Sequence, residues 1–135
     1  DFAFASKNQQ RTILQRLTGK KYLIIGNHDR DIPEEEFEGI ADLAQVSIKI
    51  NENWETFILS HRPLLCWEGS EKGYKHVFGH IHSCYGREDT CENGDAELAK
   101  LLSWRPMYDV GVDNNDYKPI SVEEVLEKIK FVSSL

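Results

Sequence analysis

Four of the five histidines of this chain fall inside three short phrases: Gly-Asn-His-Asp at 26–29, Ser-His-Arg-Pro at 60–63 and Gly-His-Ile-His at 79–82. Each phrase follows a run rich in β-branched or aromatic residues, so each sits where a strand ends. Imidazoles gathered at strand ends are costly to bury and poor for packing. They make sense if their nitrogens hold something, and a metal ion is the obvious candidate. Asn27 adds an amide oxygen to the imidazoles of His61, His80 and His82. Such a donor set suits Mn²⁺, Fe or Zn²⁺ better than Ca²⁺ or Mg²⁺. In an extended strand His80 and His82 would point the same way, because side chains repeat every two residues. At a tight loop led by Gly79 they would instead diverge toward two neighbouring ions. Two ions ~3.5–4 Å apart form a clamp for in-line displacement at phosphorus.

The elements that must position these phrases can be read locally. Ser6 to Leu17 reads as a helix, with a Ser6/Gln9 capping box and an apolar stripe of Ile13, Leu14 and Leu17. Lys21 to Ile25 is a short buried strand that Gly26 ends. Pro33 and Glu34–Glu36 suit the start of a second helix, with Phe37, Ile40, Ala41 and Ala44 facing the core. The triple Glu is expected to be a solvated face rather than a cation site. Residues 46–50 and 54–59 read as a β-hairpin about a turn at 51–53. A short strand at 76–78 runs into Gly-His-Ile-His. Residues 83–94 read as an exposed loop, 95–102 as a short helix, 107–112 as a strand and 113–116 as a turn, with possible edge pairing at 117–120. Ser121 and Glu124 box the start of a last helix whose stripe is Val122, Val125, Leu126 and Ile129. Strands and helices alternate, and some strands are adjacent in sequence. This predicts a mixed α/β layered sandwich over a strictly parallel sheet, with functional loops beyond one end of the strands.

The chain has 135 residues, 40% of them hydrophobic and 29% charged, and a formal net charge of −7. This fits one domain with a real core, spanning 1–135. No apolar run approaches the ~20 residues of a membrane span, and no signal-peptide pattern is visible. The acidic balance disfavours nonspecific binding to nucleic acid or anionic lipid. Bound divalent cations would reverse the local sign inside a cleft, so an enzyme acting on phosphates stays open. Three cysteines, Cys66, Cys84 and Cys91, read as reduced thiols of a cytoplasmic protein.

Taken in order, Gly-Asn-His-Asp, Ser-His-Arg-Pro and Gly-His-Ile-His resemble the calcineurin-like metallophosphoesterase superfamily. Its small bacterial and phage-type members have counterparts of Lys20-Lys-Tyr-Leu-Ile-Ile-Gly-Asn-His-Asp29 and of Tyr108-Asp-Val-Gly-Val-Asp113, so the resemblance covers nearly the whole chain. It implies an α-β-β-α sandwich with mixed sheets and two divalent transition-metal ions, Mn²⁺ first, with Fe, Zn²⁺ or Ni²⁺ as alternatives. The implied activity is hydrolysis of a phosphomonoester or phosphodiester by in-line attack of a metal-bridging hydroxide. By resemblance Asp1 heads a Gly-Asp phrase cut after its Gly and bridges the ions; Asn27, His61 and His80 complete one site, and His82 belongs to the other. His28 is implied to contact substrate and protonate the leaving oxygen, with Asp29 orienting its ring. Arg30 and Arg62 are candidates for binding phosphate oxygens.

The family's opening Asp-x-His phrase and first strand are absent. The domain is therefore expected to be incomplete at its N-terminus, with homo-oligomer pairing at an exposed edge as one consequence. The alternative reading is a catalytically inactive binding or scaffolding module of the same fold. His76 is expected to be an ordinary surface or strand residue. Trp54 and Trp104 are expected to pack against neighbouring elements. Packing is also the first expectation for Trp67, although its loop would let it stack on a nucleobase or sugar.

Overall fold

Alternating apolar and polar residues from Leu43 onward make a long half-buried strand, and the chain reverses on a two-residue turn to return beside it. The computed structural model describes residues 1–83, 96–102 and 104–132. Its strands are β1 (Tyr22–Ile24), β2 (Gly39–Ala41), β3 (Leu43–Ile50), β4 (Asn53–Ser60), β5 (Lys75–Phe78) and β6 (Met107–Asp109), and its helices are α1 (Lys7–Arg16), α2 (Ala96–Leu102) and α3 (Val122–Val132). The architecture is mixed α/β. β1 and β2 form a parallel pair, and β3-β4-β5-β6 form a four-stranded sheet in that order. β3 and β4 are antiparallel; β4, β5 and β6 run parallel.

The hairpin turn places Asn51 at φ 46° and Glu52 at φ 70°. Two successive left-handed residues are what a tight hairpin needs to match strand twist. Across the hairpin Val46 faces Phe57 and Ala44 faces Leu59, and Ser47 and Thr56 join their hydroxyls at 2.9 Å.

Alternation along β4, β5 and β6 sends neighbouring residues to opposite faces of the larger sheet. On one face Ile58, Phe78 and Met107 pack with Trp67, Ile81 and Leu102 of α2. On the other, Phe57 and Tyr108 pack with Val125 and Ile129 of α3. α3 starts as its capping box predicts: Ser121 N–H donates to Glu124 Oε2 at 2.9 Å, and Glu124 N–H donates to Ser121 Oγ at 3.2 Å. Among the described residues no helix is long and apolar enough to cross a membrane.

Several expectations need correction. The second helix is a single 3₁₀ turn at Glu34–Glu36, followed by β2. Gly39 is a poor helix residue and Ile40 a good strand residue. The ladder with β1 is prolonged by Glu38 N–H to Lys21 O at 2.8 Å and Ile25 N–H to Ala41 O at 2.9 Å. Glu35 and Glu36 bind Arg11 of α1 rather than standing free. The stripe on α1 is narrower than predicted: Leu14 and Gln10 are buried, while Ile13 and Leu17 are exposed. β6 ends at Asp109, a 3₁₀ turn covers Val112–Asn115, and no strand occupies 117–120. Trp54 and Trp104 are exposed, with Arg105 stacked over Trp104 at 4.3 Å. Trp67 packs as expected, its Nε1–H donating to Tyr74 O at 2.9 Å. The loop predicted over 83–94 was expected to be exposed, but its first residue, Ser83, is buried; the rest of it, with Cys84 and Cys91, lies outside the described residues.

His76 is a strand residue but not a surface one. It is fully buried between Trp67 and Phe78. Leu64 N–H donates to its Nε2 at 3.0 Å, which leaves Nδ1–H to donate to Ile58 O at 2.9 Å. This ring ties the loop after β4 to the core, and burial pushes its pKa below the ordinary value. A folded pKa below the unfolded one means that the unfolded chain binds the proton first. The ring's contribution is thus complete above the unfolded pKa of ~6.5 and falls away as the pH drops below it. His76→Phe keeps the volume but strands a buried N–H and C=O, a loss of roughly 2–4 kcal/mol at pH 7.5. Urea unfolding should show that the gap between wild type and variant narrows at pH 5; a gap that widens contradicts this account.

Candidate functional site

The parallel strands decide where the histidines meet. β4, β5 and β6 end at one edge of their sheet, and the phrases follow directly: His61 one residue beyond β4, and Gly79 and His80 just beyond β5. Gly79 N–H donates to His61 O at 3.1 Å, which fixes the two phrases to each other. β1 delivers Gly26 and Asn27 to the same place. Loops beyond the carboxyl ends of parallel strands are where α/β sheets bind ligands.

His61 is the hub. Its Nε2 lies 2.9 Å from Asn27 Oδ1, 3.1 Å from His80 Nδ1 and 3.5 Å from Asp1 Oδ2. Its Nδ1 lies 3.3 Å from the amino group of Asp1. Burial, then the positive amino group, His80 and Arg62 push the His61 pKa down to about 4. His80 is lowered too, by burial first and then by Arg62 and the other histidines. Both rings are therefore neutral near pH 7 and keep a lone pair for a ligand.

Asp1 reaches the cluster because Gly26 has no side chain; a Cβ there would overlap the Asp1 carboxylate. Asp1 Oδ1 accepts the His28 N–H at 2.8 Å. Asp29, whose side chain is almost fully buried, accepts Gly26 N–H at 2.8 Å and Phe2 N–H at 2.6 Å. It thus shapes the loop backbone that carries Asn27 and His28. The His28 ring is exposed and meets the ring of Phe4 at 5.0 Å. Arg30 and Arg62 are exposed, and Arg62 is near enough to lower the pKa of both His61 and His80.

Of the two geometries open for Gly-His-Ile-His, the structure has the diverging one. His80 has φ 73° and His82 φ 49°, both left-handed, with Ile81 buried between them. His80 turns to His61, and His82 Nδ1 to the carboxylate of Asp113. Two strained residues in one loop need an anchor. It is Asp109, fully buried, which accepts Ser83 N–H at 2.9 Å, Ser83 Oγ–H at 2.7 Å and Gly111 N–H at 2.9 Å. A Cβ at Gly111 would crowd Asp109 and Asp113. Neither aspartate was assigned a role from sequence. The usable signal was position: Asp109 ends a strand parallel to those carrying the histidines, and Asp113 lies in the turn just beyond it.

Asp1, His61, His80, His82 and Asp113 line one open cavity of about 570 Å³. Among the described residues no group of three or more His, Cys, Asp or Glu is already spaced as a metal cage. The three donors around His61, from Asn27, His80 and Asp1, each lie within 3.5 Å of its Nε2, and one is an amide. Their chemistry nevertheless fits a transition ion. With bonds of ~2.1 Å, adjacent ligand atoms stand ~3.0–3.4 Å apart in octahedral or tetrahedral coordination, close to the separations seen here.

No family model matches the chain, and no curated protein matches it. Among solved structures it is similar to a protein of unknown function, AQ665 from Aquifex aeolicus, at 26% identity and a TM-score of 0.59, over 93% of this chain and 70% of that one.

Two outcomes test the site as described. In the metal-free chain, long-range ¹H–¹⁵N spectra should keep the His61 ring neutral to pH 5, with a midpoint at about 4. A midpoint near 6.5 would mean that the ring is solvated and not clustered. Gly26→Ala should expel Asp1 from the cluster and raise that midpoint toward the ordinary value as burial is lost.

Proposed function

We propose that this chain is a metal-dependent phosphoesterase domain, its two sheets and three helices forming the layered sandwich of calcineurin-like metallophosphoesterases. The observation that carries the reading is the convergence of Asn27, His61 and His80 from three separate strand ends, joined by Asp1 from the N-terminal segment, with Asn27, His80 and Asp1 all within 3.5 Å of His61 Nε2. Neutral imidazoles and hard oxygens in one cleft are what a divalent transition ion takes up.

Asp1, Asn27, His61 and His80 would hold one ion. Asp1 with His82 would hold a second, and Asp113 beside His82 would fix that ring's tautomer as carboxylates commonly do behind ligating histidines. Such ions acidify water toward neutrality and offset charge on phosphoryl oxygens, with Mn²⁺ the first candidate and Fe, Zn²⁺ or Ni²⁺ the alternatives. His28 is exposed on the same side, its backbone held by Asp1, and its imidazole would give a proton to the leaving oxygen. Arg62 and Arg30 would meet the remaining phosphoryl oxygens. Asp29 keeps the His28 loop in shape through Gly26 and Phe2. The substrate is a phosphomonoester or a phosphodiester.

Elemental analysis after loading with Mn²⁺ should find metal retained by the wild type and lost in His61→Ala. With p-nitrophenyl phosphate and its bis ester as substrates, His28→Ala should lower kcat about 10²–10⁴-fold while metal content stays unchanged. Metal uptake without hydrolysis of either ester, across a pH series, would turn the assignment to a binding module of the same fold.

A further inference from the structure

The cavity over the histidines has a second feature that metal and phosphate chemistry leave unused. Two of the most exposed aromatic residues among the described ones, Phe4 at 83% and Tyr117 at 78%, line it together with Asp1, His61, His80 and His82. Single exposed aromatics are ordinary on a protein surface. Two on the wall of one concave site, above convergent polar groups, are the makeup of a small-molecule pocket.

Both are held there by the backbone. In Asp1-Phe-Ala-Phe4, Phe2 packs edge-on against Phe37 at 5.9 Å, and Phe4 faces outward to the His28 ring. Tyr117 follows Asp116, and both residues are left-handed, at φ 53° and 57°. That conformation is costly for a Tyr and persists only where its surroundings impose it. Here the turn is closed on itself and tied to the end of β6: Tyr117 N–H donates to Val112 O at 2.6 Å, Asn115 Nδ2–H to Gly111 O at 2.9 Å, and Asn114 Nδ2–H to Asp109 O of β6 at 2.9 Å. Relaxing the turn would carry the ring away from the cavity.

We infer that Phe4 and Tyr117 form an aromatic rim that receives a planar ring of the substrate, so that the preferred phosphoesters carry a nucleobase or another aryl group. This rests on the phosphoesterase reading and narrows its substrate class. Every base presents a π-face, so stacking gives affinity with little sequence preference. The cavity, at about 570 Å³, is within the usual range for ligands of this size.

The test is equilibrium binding by calorimetry to the Mn²⁺-loaded chain, with the methylenephosphonate analogues of AMP, phenyl phosphate and ribose 5-phosphate, whose P–C bond resists hydrolysis. The AMP analogue should bind about tenfold more tightly than the ribose analogue. A matching gain for the phenyl analogue assigns the rim to aryl groups in general, and its absence assigns it to nucleobases. Phe4→Ala and Tyr117→Ala should each shrink the preference while leaving the ribose analogue within twofold. Tyr117→Phe should retain it, which guards against a folding defect. Equal binding of all three by wild type overturns the rim and leaves the phosphoesterase reading standing. Failure of all three to bind, with no hydrolysis of nitrophenyl esters, removes both.

Discussion

A buried carboxylate lies beneath the site. Asp109 ends β6 and spends its oxygens on Ser83 just beyond Gly-His-Ile-His and on Gly111 at the start of the next turn. It therefore joins two loops that leave neighbouring parallel strands. Without such a tie, the left-handed conformations of His80 and His82 would relax, because each costs free energy that nothing local returns. With it, one histidine turns to His61 and the other to Asp113. The separation of these two rings, on which any two-ion chemistry depends, is a property of this anchored loop.

The second constraint is the absence of side chains at particular points. Gly26 lets Asp1 lie against the end of β1, and Gly111 lets Asp109 and Asp113 approach each other. Close approach of polar groups lowers the local capacity for protons: burial and positive neighbours keep His61 and His80 neutral. A chain with a net charge of −7 thus gathers uncharged imidazole nitrogens in one cleft. The same opening is walled by Phe4 and Tyr117, so the cleft combines hard polar donors at its floor with apolar surface at its rim.

Much of this was readable without coordinates where the cause is local. The hairpin, β5, α3 with its capping box and the boxed start of α1 all follow from patterns within a few residues, as does β1 as a strand, although it was expected to be buried and Tyr22 is exposed. Errors fell where the cause is distant. Residues 33–44 have a plausible helix start, but β1 supplies a ladder that only a strand can use. Ile13 and Leu17 are apolar at helical spacing, yet they are exposed, as are Trp54 and Trp104. His76 gave no hint that both of its nitrogens would be engaged in the core.

What the sequence determined by itself was the set of candidate donors, Asn27, His61, His80 and His82, and their placement at strand ends, because residue type and period-two alternation are written in order along the chain. What only the tertiary structure decided was which of them meet. Three parallel strands, β4, β5 and β6, align their ends on one edge; that alignment brings His61 to His80, sends His82 to Asp113 and sets Asp109 beneath the Gly-His-Ile-His loop, while β1 of the smaller sheet delivers Asn27 to His61. Pairing between residues dozens of positions apart depends on strand order and register, and neither is encoded in any single stretch of the chain.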